Sequence, residues 1–171
     1  MKIIYVQEDL TDLKFDNGVS IYLAGPTPIK ELKENLIKKT FNLFTGNTES
    51  WRNEAISYFK QKQFKGTLLI PEERSGESFP FEWESQIEWQ MSAITKADYI
   101  LFWIPRNLID MPGCTTNIEF GYWIGKNPEK LVVGAPKNTR KMKYIKHQCK
   151  LNNILYENNL KKLVQSLSLK K

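Results

Sequence analysis

Residues 98–104 read Asp-Tyr-Ile-Leu-Phe-Trp-Ile and are followed at once by Pro105. In an extended strand successive side chains point to opposite faces, so a run apolar at nearly every position needs protein packed both above and below it. That places it in the interior of a parallel sheet covered by helices. Three more short apolar runs end in the same abrupt way: Ser20–Ala24 before Gly25-Pro26, Thr67–Ile70 before Pro71, and Leu131–Ala135 before Pro136. A weaker strand signal lies at Asn153–Tyr156. Between these runs the apolar spacing becomes helical. It does so over Ile29–Phe44, from an N-cap at Ser50 to about Gln63, over Phe81–Thr95, from about Asn117 to Gly125, and over Glu157–Leu167. Strands alternating with helices predict a single α/β domain over residues 1–171, Rossmann-like, with three α/β/α layers and a mainly parallel five-stranded sheet. Residues 1–18 are left open between an added strand and a hairpin.

The 171 residues suffice for one core, and 41% hydrophobic with 26% charged residues is globular rather than disordered composition. No apolar run approaches the roughly 20 residues of a membrane span, and the first residues form no signal-peptide core. Cys114 and Cys149 make no disulfide framework and no CxxC, so a cytoplasmic location is expected. His147 stands alone in a lysine-rich stretch, which excludes a multi-histidine metal site and reads as a solvated loop residue. Acid–base chemistry, if the chain performs any, then falls to carboxylates. The net charge of +6 is uneven: residues 137–171 hold ten Lys/Arg against Glu157 alone, and the first 136 residues are slightly acidic. That end suits anionic ligands, or is simply a solvated surface. With only Tyr144 and Tyr156 among its cations it lacks the interleaved aromatics of a nucleic-acid platform, so nucleic acid is not expected as the partner.

In a parallel sheet of this kind ligands bind beyond the carboxyl ends of the strands. Four segments qualify: Gly25–Thr27, Pro71–Ser78, Pro105–Asn117 and Pro136–Lys146. Neither GxGxxG nor GxxxxGK[ST] is present, which argues against a dinucleotide or P-loop site, although Gly25-Pro26 still permits close backbone approach. Thr116-Asn117-Ile118-Glu119 admits two readings. It matches a capping box, with Thr116 as N-cap and Glu119 reaching back to it. It equally sets a carboxylate at a helix N-terminus on the ligand side, as a nucleophile would be. Asp98 opens its strand, so by strand direction it lies far from that end. The Glu84/Glu88 pair and the rings of Trp83, Trp89 and Trp103 fit a binding surface, or a solvated face and a core.

Six blocks, SIYLAGPTP, SWRNEAISYF, LLIPE, SQIEWQ, ADYILFWIPR and PGCTTNIEFGYWIGKN, occur in an order that resembles the nucleoside 2-deoxyribosyltransferase-like proteins over about residues 19–136. The resemblance implies a Rossmann-like fold and cleavage or transfer at the N-glycosidic bond of a (deoxy)nucleoside or nucleotide, through a covalent glycosyl-enzyme. It gives the nucleophile to Glu119, its orientation to the Tyr22 hydroxyl, and a base-holding role to Asp98. Gly25, Pro26, Trp51, Arg52, Glu88, Trp89, Arg106, Thr116 and Asn117 are expected to bind substrate. It implies no metal or organic cofactor, a small-molecule nucleoside or nucleotide substrate, no membrane partner and a homo-oligomer. A non-catalytic nucleotide-sensing module of the same fold is the alternative. Its motive is Gly113, which stands where the better-known members carry a sugar-binding aspartate six residues before the nucleophile. Residues 29–48 read as a helical insertion.

Overall fold

The computed structural model describes residues 1–6, 8–10, 18–28, 50–74, 83–109 and 111–167; the expected insertion at 29–48 lies outside them. The strands are β1 (Lys2–Tyr5), β2 (Ser20–Ala24), β3 (Thr67–Ile70), β4 (Tyr99–Trp103), β5 (Leu131–Gly134) and β6 (Tyr156–Glu157). The helices are α1 (Trp51–Gln61), α2 (Trp83–Lys96), α3 (Cys114–Lys126), α4 (Lys143–Leu151) and α5 (Leu160–Ser166). All pairings are parallel and the sheet order is β1-β3-β2-β4-β5-β6. The sheet therefore has six strands, not five. The sixth is β1, whose residues Lys2–Tyr5 lie in register with Thr67–Ile70 of β3 at one edge. An edge strand of four residues carries too little pattern to be separated from a hairpin by sequence.

Both faces of the sheet are covered, as the doubly apolar β4 requires. Tyr22, Ala24, Ile100, Phe102 and Val133 pack on one side with Ala93 and Ile94 of α2, Phe120 and Trp123 of α3, and Ile145 and Cys149 of α4. Ile21, Leu23, Leu68, Leu101 and Val132 pack on the other with Ala55 and Phe59 of α1 and Leu163 and Val164 of α5. The two-residue period of the strands makes this division, so that Tyr22 and Leu23 serve different layers. Burial of such side chains contributes roughly 1.5–3 kcal/mol each relative to exposure.

The chain runs from β2 outward to β3, then crosses back over β2 to β4 and continues to β5. Connections therefore diverge at the carboxyl ends of β2 and β4. Open α/β sheets form their ligand crevices at such reversals. Among the described residues no helix is long and apolar enough to cross a membrane.

Candidate active site

A cleft of about 280 Å³ opens at that reversal, lined by Tyr22, Gly25, Pro26, Thr27, Arg52, Pro71, Gln90, Pro112, Gly113, Cys114, Thr115 and Glu119. Its floor is the turn that ends β2. Gly25 adopts φ 149°, and a Cβ there would lie 2.1 Å from the Trp103 carbonyl oxygen and 2.9 Å from the Trp51 ring. Only glycine allows the backbone to pass so close to the end of β4.

Arg52 holds this turn from behind. It is buried at the start of α1, where Ser50 caps the helix by accepting from the Arg52 amide. Its Nε donates to the Leu23 carbonyl at 3.0 Å and Nη2 to the Gly25 carbonyl at 2.7 Å, while Nη1 donates to Glu72 Oε1 at 2.6 Å and Thr27 Oγ1 at 3.3 Å. One planar cation thus ties the end of β2 to the residue pair that follows β3, geometry a lysine's point charge cannot reproduce. The Trp51 ring stacks on the guanidinium at 4.6 Å, and its indole N–H donates to the Pro26 carbonyl at 3.1 Å.

The opposite wall is the start of α3. Gly113 is its N-cap, in the left-handed conformation at φ 67°, ψ 38°, with no side chain to cap the helix. The Asn117 amide donates to the Gly113 carbonyl at 3.2 Å, so the helix begins three residues earlier than a cap at Thr116 requires. The capping box is therefore not formed. Glu119 is the sixth residue of α3, in its second turn, and faces the cleft. Gly113 packs against Pro26, whose Cβ lies 3.4 Å from where a Cβ of residue 113 would stand. That tertiary contact and the left-handed turn decide the helix start, and neither is written in the local T-x-x-E pattern.

Burial pushes the Glu119 carboxyl up from its ordinary 4.5 to about 6, against the pull of the Arg52 guanidinium. Tyr22 is held well above its ordinary 10, first by burial and then by the Glu119 carboxylate, with Arg52 again opposing. At neutral pH the cleft therefore pairs an ionised but poorly solvated carboxylate with a protonated phenol. The first is a nucleophile or base and the second a hydrogen-bond donor. Among the described residues no group of three or more His, Cys, Asp or Glu is placed to hold a metal ion.

The family description that matches residues 18–139 is "nucleoside 2-deoxyribosyltransferase like". The chain belongs to this family. Membership of the nucleoside 2-deoxyribosyltransferase-like family suggests a transferase or related enzyme and implies a nucleoside small-molecule substrate. A comparison with curated proteins gives no match.

For a member of this family, the residues expected from sequence divide sharply. Glu119, Tyr22, Gly25, Pro26 and Arg52 meet in the cleft. Asp98 does not: at the amino end of β4 its Oδ2 accepts from the Ser20 amide at 2.8 Å and the Ser20 hydroxyl at 2.6 Å, across the sheet from the cleft. Trp51 lies beneath the turn rather than in the cleft. Trp89 donates its indole N–H to the Glu8 carbonyl at 2.9 Å, tying α2 to the N-terminal segment, and Glu88 beside it is exposed. Thr116 is buried under α3, and Arg106 bonds to Asn117 on another face of that helix, beside a second cavity. Gln90, Thr27, Pro71, Pro112 and Cys114 line the cleft without having been singled out. Thr27, Pro71, Pro112 and Cys114 lie in strand-end segments and were within reach of that rule. Gln90 sits mid-helix and carries no local signal.

Proposed function

We propose that the protein cleaves the N-glycosidic bond of a (deoxy)nucleoside or nucleotide by way of a covalent glycosyl-enzyme on Glu119. The observation that carries this reading is the desolvated Glu119 carboxylate, with a pKa of about 6, beside protonated Tyr22 in the cleft at the sheet reversal. A Glu119 oxygen attacks C1′ of the sugar as the bond from C1′ to the base nitrogen breaks. The base departs with that electron pair and takes up a proton. Tyr22 donates a hydrogen bond that orients the carboxylate. An acceptor base or a water then attacks C1′ from the opposite face, loses its proton and releases Glu119. Two displacements return the original anomeric configuration, by the logic of retaining glycosidases.

A partly buried carboxylate suits this chemistry. Poor solvation raises the energy of the ground-state anion, and its charge is dispersed as the ester forms. Thr27, Gln90 and Thr115 supply the remaining side-chain polar groups for sugar and base.

The test is a panel of nucleosides and 5′-monophosphates followed by chromatography, with and without a second base. Exchange of base is expected from a transferase, and free sugar from a hydrolase. Denatured enzyme quenched during turnover is expected to carry the glycosyl mass on the peptide containing Glu119. Absence of turnover across the panel, or full turnover by Glu119→Gln, overturns the mechanism.

One observation favours a second reading, a nucleotide-sensing module. Gly113 lines the cleft with no side chain, at the position where the better-known members carry a sugar-binding aspartate. Nucleotide binding by calorimetry with no turnover would support that reading.

A further inference from the structure

We propose that the cavity between α3 and α4 is a second ligand site, for a small anionic molecule bearing a flat ring, of the nucleoside phosphate class. The cavity measures about 390 Å³, within the roughly 300–1,000 Å³ of small-molecule sites. Arg106, Asn117, Phe120, Lys141, Tyr144 and Gln148 are among the residues around it. It lies on a different face of α3 from Glu119 and is independent of the cleft reading.

Four observations select the ligand. The first is charge: Arg106 and Lys141 line the cavity, and among the described residues no carboxylate does. Around it, residues 131–156 carry six Lys/Arg and no Asp or Glu. The second is an unmet donor. The two terminal nitrogens of Arg106 are engaged, Nη1 by the Lys141 carbonyl at 3.3 Å and Nη2 by the Asn117 side chain, whereas its Nε is shielded from solvent and meets no acceptor. A buried donor without an acceptor is costly, so this guanidinium keeps hydrogen-bonding capacity unspent beside the cavity.

The third is backbone strain at the same place. Lys141 has φ 59°, a left-handed conformation unfavourable for a residue with a Cβ, and it is this residue's carbonyl that receives Arg106. Strained positions of this kind gather at ligand clamps. The fourth is the ring surface. Tyr144 is 72% exposed at the cavity, where Phe120, Ile124 and Ile145 are apolar, and the Asn117 and Gln148 carboxamides supply donors and acceptors for the edge of a base. A cavity of this size accepts one nucleotide. A polynucleotide needs a row of stacking rings, and the only other Phe, Tyr or Trp on this basic segment, Tyr156, is half-buried beside Lys146.

The experiment is a titration of the full chain, labelled with ¹⁵N, with adenosine 5′-monophosphate, followed by backbone amide spectra. The amides of Gly121, Lys141, Tyr144 and Gln148 are expected to shift together and saturate. Lys141→Ala with Tyr144→Ala is expected to weaken that response at least tenfold while the responses of Gly25 and Gly113 persist. Adenosine alone and inorganic phosphate alone are each expected to act at least tenfold more weakly. No shift in this set at millimolar nucleotide overturns the proposal, and shifts at Gly25 and Gly113 alone assign nucleotide to the cleft only. An equal response to phosphate alone overturns the ring, and an equal response to adenosine alone overturns the anion. A short single-stranded RNA that moves the same amides at lower concentration than the mononucleotide reassigns the surface to nucleic acid.

Discussion

The Arg52 guanidinium and the Glu72 carboxylate meet at 2.6 Å, with only 1% and 15% of their side chains exposed. Neither residue is on the sheet, yet together they set the shape of the cleft. The same guanidinium holds the Leu23 and Gly25 carbonyls, so the ion pair and the turn are one structure.

Removing the arginine leaves Glu72 as an uncompensated, largely buried charge. Arg52→Ala is therefore expected to cost about 3–5 kcal/mol in denaturant unfolding. Arg52→Lys is expected to recover less than half of that, because one ammonium cannot serve two carbonyls, a hydroxyl and a carboxylate in the plane they define.

With Glu119 as the proposed nucleophile, activity and stability are expected to respond to pH in opposite senses. Its folded pKa of about 6 lies above its ordinary 4.5, so the folded state retains a proton that the unfolded state loses between those values. The carboxyl's contribution to stability is fully present below about pH 4.5 and is lost as pH rises through 6, a difference of about 2 kcal/mol. In the proposed mechanism Glu119 acts in its ionised form, so kcat/KM is expected to rise about tenfold per pH unit below 6 and level off above it. Glu119→Gln is expected to lose at least roughly a thousandfold in turnover. The same variant should be more stable than the parent at pH 8 by up to about 2 kcal/mol, with a smaller difference at pH 4.5. Thermal melts at the two pH values check the second half independently of any substrate.

Gly25→Ala places a methyl 2.1 Å from the Trp103 carbonyl oxygen in a backbone conformation that L residues rarely adopt. The turn must move, at a cost on the order of 3 kcal/mol. Loss of substrate turnover with a lowered melting temperature is the expected result. A variant with unchanged melting and full activity would contradict the close packing of β2 and β4.

Asp98 gives the opposite pattern. Asp98→Ala removes two hydrogen bonds to Ser20 and is expected to destabilise the fold by about 1–2 kcal/mol. Because the carboxylate sits at the amino end of the sheet, kcat/KM of the folded variant is expected to stay within about twofold of the parent. A large loss of kcat with unchanged stability would return Asp98 to the reaction.

Sequence by itself determined the alternation of strand and helix, the interior position of the strand within Asp98–Ile104 and the ends of four strands at glycine or proline. These follow from local rules: two-residue and 3.6-residue periods, and the inability of proline to continue a strand interior. The ordered family blocks also single out Glu119, Tyr22, Gly25, Pro26 and Arg52. Only the tertiary structure decided what those residues meet. The start of α3 depends on Gly113 in a left-handed turn against Pro26, so a capping-box pattern that is locally sound goes unused and Glu119 moves from the first turn to the second. Trp51, Trp89 and Asp98 carry side chains fit for a site but are drawn to backbone groups of distant segments, bonds that sequence spacing does not record. Gln90 enters the cleft because α2 crosses the sheet beside the reversal, and the distance between α2 and β2 is a property of packing alone.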